Sequence, residues 1–161
     1  MSRQYSMVAQ DTPVVLLPPA ADAAGRTSSY RSLKNADKAY VVVHINQGNA
    51  ATVALTLLQA KDVSGTSSKA LGATPIWLND ATASSDAFVA QAAAAGFTTD
   101  ANVADKIVVF EIEPEACMDV ANGFRSIAVQ TGASNAANIT EAKVHIHNNY
   151  AQATPPSSYT N

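Results

Sequence analysis

Apolar and polar residues alternate at every second position along several stretches of this chain, which is the pattern of half-buried β-strands. Two such stretches, residues 39–46 (AYVVVHIN) and 51–60 (ATVALTLLQA), flank the dipeptide Gly48-Asn49. Apolar runs on either side of a short glycine-containing turn predict a β-hairpin. Alanine, leucine and glutamine also favour a helix for residues 51–60, but the alternation with threonine favours a strand.

The same reasoning extends to the rest of the chain. Further strands are predicted at residues 14–17, 30–36, 67–71, 75–78, 106–113, 124–131 and 140–148. Trp77, the only tryptophan, is predicted to anchor the core. The alanine-rich residues 79–105 are interpreted as one irregular excursion with a short strand at 88–90, in preference to a packed helix. Together these elements predict an all-β fold, a β-sandwich or jelly-roll-like barrel of about seven to nine short antiparallel strands.

Alternation within residues 106–113 (KIVVFEIE) also assigns side chains to faces. Ile107, Val109 and Glu111 share one face of the strand, and Val108, Phe110 and Ile112 share the other. A second pattern is a weak internal echo: residues 47–53 (QGNAATV) resemble residues 131–139 (TGASNAANI), and each lies between two predicted strands. Two similar hairpins suit a sandwich, although coincidence in an alanine- and asparagine-rich chain explains the echo equally well.

Prolines divide the chain into three parts. Pro13, Pro18 and Pro19 remove backbone donors and disfavour a helix, so residues 1–24 are predicted to form an extended N-terminal arm. This arm either reaches across to a neighbouring subunit or lies over its own domain. Residues 25–152 are predicted to form a single β-sandwich domain, and residues 153–161, with Pro155-Pro156, an extended C-terminal tail.

The composition narrows the classes of function that the chain can have. Of the 161 residues, 47% are hydrophobic and 14% are charged, with a net charge of −3, whereas soluble domains usually carry roughly 25% charged residues. Such a surface is easily buried against partner subunits because few charges need desolvation; a soluble monomer with small exposed side chains is the alternative. No cluster of basic residues predicts nucleic-acid binding, and no apolar run predicts a membrane span or signal peptide, so synthesis and folding in the cytoplasm are expected.

Three histidines are candidate metal ligands. His145 and His147 flank Ile146 and therefore share one face of a strand, and His44 on another strand is the obvious third ligand. Histidines on an exposed strand face are more often simple surface or interface residues, and that interpretation is preferred. The single cysteine, Cys117, lies among acidic residues that would raise its pKa, so a buried structural cysteine is expected.

Glu111, Glu113 and Glu115 recur at alternate positions and could in principle do acid–base chemistry. Pro114 interrupts this pattern, so a solvated strand face is preferred. The sequence holds no nucleophile elbow, phosphate-binding loop, dinucleotide fingerprint or zinc-protease motif. We therefore predict no catalytic, cofactor-binding or metal-binding residues, and no enzyme activity.

Several motifs resemble a known group of proteins. They are residues 17–30 (LPPAADAAGRTSSY), 32–40 (SLKNADKAY), 46–53 (NQGNAATV), 75–77 (PIW), 120–124 (VANGF), 131–139 (TGASNAANI) and 152–157 (QATPPS). Together they resemble small proteins encoded in the structural modules of tailed bacteriophages and prophages, near the capsid genes. The resemblance spans most of the chain and carries over no active-site residue.

The resemblance implies a virion component, and a capsid decoration (cement) protein is the first expectation. Its implied partners are the major capsid protein and copies of itself, for example as a homotrimer, with no nucleic acid and no membrane. Its implied location is the capsid surface, after synthesis in the cytoplasm of the bacterial host. The alternatives are a tail tube or head–tail connection subunit, and a glycan- or metal-binding β-sandwich module using His145, His147 and Trp77.

Overall fold

Nearly all regular structure in the described part of the chain is β-strand. The computed structural model describes residues 6–150 and 154–161. The first five residues of the predicted arm and residues 151–153, where the predicted domain ends and the tail begins, lie outside the described residues. The strands of the described part are β1 (Asp11–Ala21), β2 (Arg26–Thr27), β3 (Arg31–Ser32), β4 (Ala36–Gln47), β5 (Ala54–Ala60), β6 (Lys69–Ala70), β7 (Thr74–Asn79), β8 (Val89–Ala94), β9 (Gly96–Thr98), β10 (Asp105–Ile112), β11 (Ser126–Thr131) and β12 (Asn138–Asn148). Two one-turn helices, α1 (Met7–Gln10) and α2 (Pro114–Cys117), and a 3₁₀ turn at Val120–Asn122 complete the fold.

The strands form two antiparallel sheets. In the first sheet the order is β1-β12-β4-β10-β7-β8. In the second sheet it is β2-β11-β5-β6, with β3 also beside β11 and β9 also beside β5. The sheets pack as a sandwich and do not close into a barrel within the described residues, which confirms the predicted all-β class. The two strands that were not predicted, β2 and β9, are only two and three residues long. The strands predicted at residues 30–36 and 67–71 are present as β3 and β6 but have only two residues each.

The core lies between the two sheets and is built by alternation. On β4, Val41, Val43 and Ile45 are each 0% exposed; Leu55 and Leu57 on β5, and Val53 just before it, are at most 2% exposed. β10 buries Val108, Phe110 and Ile112, as its sequence predicts. Each long strand therefore contributes one fully apolar stripe to the core.

The predicted hairpin at residues 39–60 is wrong, although both of its strands exist. β4 pairs with β10 and β12 in the first sheet, whereas β5 pairs with β11 in the second. Residues 48–53 therefore form an arch that crosses from one sheet to the other. The reason is that each strand carries its own apolar stripe, and the two stripes can bury each other only by facing across the core.

β11 and β12 are also joined by an arch, residues 132–137, and the two arches contact each other. The Asn138 side chain accepts from the backbone N–H of Asn49 at 2.8 Å and donates to the Ala51 carbonyl at 2.8 Å. A Cβ on Gly48 would lie 2.6 Å from the Ala137 carbonyl oxygen, so only glycine fits there. The internal echo in the sequence thus corresponds to two neighbouring arches.

The part of the predicted arm that is described lies on its own domain. β1 pairs with β12 from Asp11 opposite His147 to Ala21 opposite Ile139, with two register shifts. Val14, Leu16 and Leu17 are at most 8% exposed and belong to the core. The edge strand predicted at residues 14–17 is therefore confirmed and is longer than expected.

Residues 79–105 contain no helix and make an excursion along the side of the sandwich, as the sequence indicates. β8 pairs with β7 at the edge of the first sheet, and β9 then pairs with β5 in the second. The chain changes sheet at Gly96, where a Cβ would lie 2.5 Å from the Leu55 carbonyl oxygen. This single segment closes one side of the sandwich.

Trp77 is not the core anchor that its size suggests. Strand alternation on β7 puts Ile76 inside, 1% exposed, and Trp77 outside, where it is half-buried. Its register partner on β10 is Val109, which also points outward. The prediction failed because it weighed the size of the side chain and not its phase along the strand.

Candidate functional site

Most of the residues that the sequence indicates as functional candidates lie on the outer face of the first sheet. On β4 the outward side chains are Lys38, Tyr40, Val42 and His44, all half-buried. No strand or helix of the described residues packs against this face, whereas the opposite face of the same sheet forms the core. An uncovered sheet face of this kind is a natural place for a partner to bind.

A row of six residues crosses this face from one edge of the sheet to the other. Its members are register partners on successive strands, in the order Val15, Lys143, Val42, Val109, Trp77 and Ala90. We call this set the outer-face row. Five of its six side chains are apolar, and directly opposed residues point to the same side of a sheet. The row therefore forms an apolar stripe from β4 to β8, separated by Lys143 from Val15 at the β1 edge.

Polar and ionisable side chains flank the outer-face row. The neighbouring register row runs from Pro13 through His145 and Tyr40 to Glu111. Next to it, a shallow depression of about 650 Å³ is lined by Asp11, Asp37, Lys38, Tyr40, Val42, Val109, His145 and His147. An apolar centre bordered by polar groups is the anatomy of a protein–protein interface.

The three histidines all lie on the outer face, but each has its own surroundings. His147 Nδ1 lies 2.7 Å from Asp11 Oδ1, so this pair fastens the start of β1 to the end of β12. His44 Nδ1 lies 3.7 Å from Glu141 Oε1. Within residues 6–150 and 154–161, no three His, Cys, Asp or Glu side chains are grouped so that they could hold a metal ion. The structure thus confirms a shared face for His145 and His147 and does not bring His44 to them.

The three glutamates are separated by the end of β10. Glu111 remains on the outer face, Glu113 precedes α2 and pairs with Lys38 at 2.8 Å, and Glu115 is exposed in the first turn of α2. The hydrogen bond with Glu113 raises the pKa of Lys38. Pro114 at the start of α2 turns the chain, as its position in the sequence suggests.

Cys117 is a structural residue. It is 7% exposed, and its thiol donates to the Glu113 carbonyl at 3.0 Å. Burial raises the pKa of the Cys117 thiol, and the Glu113 carboxylate adds to the shift. The expectation of a buried cysteine is confirmed, and a raised pKa disfavours the thiolate that a reactive cysteine needs.

Sequence reasoning missed a buried lysine behind the outer face. Lys106 is 1% exposed, and its ammonium group donates to Asp100 Oδ1 at 2.5 Å and to Gln47 Oε1 at 3.1 Å. Thr99 donates to the same Gln47 oxygen at 2.8 Å. The ammonium group beside Asp100 holds the pKa of that carboxyl below its usual range. The position was predictable, because Lys106 is in phase with Val108 and Phe110 on the buried side of β10.

A second polar cluster joins the end of β1 to the second sheet. Asp22 is fully buried, and its Oδ1 accepts from Arg26 Nε at 3.1 Å and from the Thr131 hydroxyl at 2.8 Å. The Arg26 guanidinium also donates to the carbonyls of Pro18, Ala20 and Thr140. Both clusters brace loops through internal hydrogen bonds, although the second Asp22 carboxylate oxygen, Oδ2, is buried without a hydrogen-bond partner.

Comparison with known proteins gives weak structural likenesses. No family model and no curated protein sequence matches the chain. The SPBc2 prophage-derived protein YomS is similar to it with a TM-score of 0.46 and 8% identity, covering 84% of this chain and 92% of YomS. A putative sugar binding protein from Bacteroides thetaiotaomicron has a TM-score of 0.31 and 14% identity, covering 77% of this chain and 65% of that one. A chain of Desmodium yellow mottle tymovirus has a TM-score of 0.20 and 9% identity, and the match covers 89% of this chain and 82% of the viral chain.

One further finding concerns membranes. Among the described residues, no helix has the length and apolar character needed to cross a bilayer.

Proposed function

We propose that this chain is a non-enzymatic structural protein of a phage virion, and that it decorates the capsid by binding the major capsid protein on the outer surface of the shell. The observation that carries the proposal is the outer-face row, an uncovered row of side chains across all six strands of the first sheet that is apolar on every strand except β12, where Lys143 lies. Such a surface serves contact with another protein better than it serves chemistry on a small molecule.

The exposure and composition of the outer-face row suit a docking surface. Val15 at one end is 46% exposed, and Val42, Val109 and Trp77 in the middle are half-buried. Covering the half-buried apolar side chains removes their remaining surface from water, which is favourable by about 25 cal/mol per Å² of apolar area. A rigid sheet presents them with little loss of conformational freedom on binding, which is the advantage of a preorganised interface.

The flanking charges are mostly paired within the chain. Lys38 pairs with Glu113, and Glu141 lies 3.7 Å from both His44 and Lys143. Paired charges at the rim of an interface remain solvated and add little to affinity, while they help to define the orientation of the partner. With a net charge of −3 in 161 residues, the chain has little electrostatic repulsion to overcome when many copies crowd on one surface.

The sequence motifs that resemble phage structural proteins have structural roles here. Residues 46–53 and 131–139 contain the two arches that contact each other through Asn138. Residues 17–30 contain the buried Asp22 and Arg26. These motifs therefore specify a fold and not a reactive site, which is consistent with a protein that acts by assembly.

The test uses purified capsids that lack this protein. Recombinant chain added to such capsids is expected to co-sediment with them, and Val109→Glu is expected to abolish binding because it places a charge in the middle of the outer-face row. Thr56→Glu, at a half-buried position on the outer face of the second sheet, is the matched control and should bind normally. Both variants must retain the thermal unfolding midpoint of the wild type to within a few degrees.

Three outcomes overturn the proposal. They are absence of the chain from purified virions, equal binding by Val109→Glu and the wild type, and labelling of the tail instead of the head in electron micrographs. The last outcome favours a tail tube or head–tail connection subunit. Heat released on titration with a glycan, lost in a Tyr40→Ala variant, favours instead a glycan-binding module, since Tyr40 borders the depression on the outer face.

A further inference from the structure

β8 is an edge strand whose outer side is open. One side of β8 pairs with β7, and no strand of the described residues lies on the other side. Phe88 and Val89 are 43% and 62% exposed, and every residue from 83 to 90 is exposed. The backbone N–H and C=O groups on this side therefore form a template to which another strand can add.

The sequence of this edge lacks the charges and prolines that usually prevent strand addition. Residues 87–99 (AFVAQAAAAGFTT) contain no charged residue and no proline. Natural edge strands are normally blunted by charges, prolines or bulges. β8 has one register irregularity, opposite Pro75, but Val89, Ala90 and Gln91 lie in regular register with β7. This three-residue stretch is the regular part of the edge, and within it the Val89 carbonyl accepts from the Gln91 side chain at 3.2 Å, a bond between two exposed groups that can be exchanged for one to another strand.

We propose that the β8 edge pairs antiparallel with β8 of a second copy of this chain, across a two-fold axis, so that the two first sheets become one continuous sheet. A second copy fits because the strand is self-complementary. With the axis at Ala90, Val89 of each copy lies opposite Gln91 of the other, and the two Ala90 methyl groups face each other. Asp86, the nearest charged residue, then lies opposite Ala94, so no like charges oppose each other within the paired strands.

The pairing also extends the apolar stripe on the outer face. Ala90 is the last member of the outer-face row, beside Trp77. In the dimer, the row of one copy continues through the two Ala90 residues into the row of the other. Two-fold pairing through β8 does not depend on capsid binding, and it differs from the three-fold arrangement that the sequence resemblance implies for copies of the chain.

The dimer formed in this way is weak in solution. A short strand edge buries much less than the about 1,600 Å² of a standard interface, and the backbone hydrogen bonds replace bonds to water. Sedimentation equilibrium of the full chain, over about a hundredfold range of concentration, is expected to show a reversible monomer–dimer equilibrium.

A charge-swap experiment tests the position of the axis. Ala90→Lys places two like charges against each other and is expected to weaken dimerisation at least about tenfold. Ala90→Glu has the same effect, but an equal mixture of the two variants recovers dimers, because opposite charges then meet at the axis. Val15→Lys adds the same charge at the other end of the outer-face row, on the β1 edge, and dimerises like the wild type.

The outcomes are decisive in either direction. A wild type that stays monomeric over the whole concentration range overturns the proposal. So does an Ala90→Lys variant that dimerises normally, a mixture that fails to recover dimers, or a Val15→Lys variant that is weakened equally. Unchanged far-UV circular dichroism and thermal midpoints establish that each variant is folded.

Discussion

The two edges of the first sheet are built in opposite ways. At one edge, β1 carries Pro13, Pro18 and Pro19, has two register shifts against β12, and sends Val14 and Leu17 into the core. At the other edge, β8 has alanine at most positions and contributes little to the core. Both strands end the same sheet, but the first edge is closed to further strands by its sequence and the second is open.

The difference shows that position in a sheet does not decide the role of an edge strand. β1 is held by side chains, because its apolar residues are buried and its end is fastened by the Asp22–Arg26 cluster. β8 is held mainly by its backbone hydrogen bonds to β7. A strand held by its side chains has no need of a further partner, whereas a strand held by its backbone can accept one on its free side. Four predictions follow from this contrast, and the largest effect comes first.

Truncation of a buried side chain on β1 should destabilise the chain far more than truncation on β8. Leu17 is 4% exposed and Val89 is 62% exposed. Leu17→Ala leaves a cavity in the core and is expected to cost about 2–5 kcal/mol of unfolding free energy. Val89→Ala should change it by no more than about 0.5 kcal/mol. Urea unfolding measures both, and similar losses for the two variants contradict the contrast.

Removal of the Asp22 carboxylate should loosen the end of β1. Asp22→Ala leaves Arg26 Nε and the buried Thr131 hydroxyl without the carboxylate oxygen that accepts from both, and the expected loss of unfolding free energy is about 1–3 kcal/mol. Asp37→Ala, an exposed carboxylate on the same sheet, is the control and should have little effect. Hydrogen exchange should also rise selectively at the β1 amides in Asp22→Ala. A uniform rise over the whole chain shows instead that Asp22 does not act locally.

Replacement of the β1 prolines should open the β1 edge to further strands. A triple variant with threonine at positions 13, 18 and 19 restores three backbone donors to β1. It is expected to form assemblies larger than the dimer, because copies of the chain associate through the β1 edge with an apparent affinity about tenfold higher than in the wild type. Light scattering as a function of concentration measures the change. If the triple variant forms no species larger than those of the wild type, the prolines do not protect this edge.

The smallest effect concerns the segment that follows β8 and β9. The pKa of Asp100 is lowered by the adjacent Lys106 ammonium, so its ionised form stabilises the folded state. This stabilisation is present above the unfolded carboxyl pKa of about 3.9 and is lost as the pH falls through the lower folded value. Asp100→Asn should therefore be less stable than the wild type near neutral pH, and the difference should shrink in acid. Thermal unfolding against pH tests this, and a difference that persists at the lowest pH contradicts it.

Strand positions followed from the sequence, but strand partners did not. The alternation in residues 39–46 and 51–60 located β4 and β5 correctly, because a buried stripe is a local property of the pattern. The turn between them did not reveal which sheet each strand joins, since the same glycine-containing segment can close a hairpin or cross the core. β11 and β12 are separated by an arch for the same reason.

The candidate site was predictable only in part. The shared face of His145 and His147 followed from alternation, and Lys106 could have been placed inside by the same rule. The outer-face row could not be predicted from the sequence, because it depends on the register of five strand pairs. Register is set by side-chain packing between distant segments, which a single sequence does not contain in readable form. Trp77 was wrongly predicted to lie in the core, because its large side chain was given more weight than its position in the alternation along β7.

The position of β12 between β1 and β4 has a consequence for how the protein is made. Asp11 and His147 are in contact although 136 positions separate them in the chain. During translation, β1 emerges from the ribosome early but cannot find its neighbour until β12 has also emerged. Pairing of β1 with β12 is therefore expected late, and folding is expected to be slow for a domain of this size because of these distant contacts. A nascent chain stalled before residue 138 should remain sensitive to protease, and release of β12 from the exit tunnel should protect it.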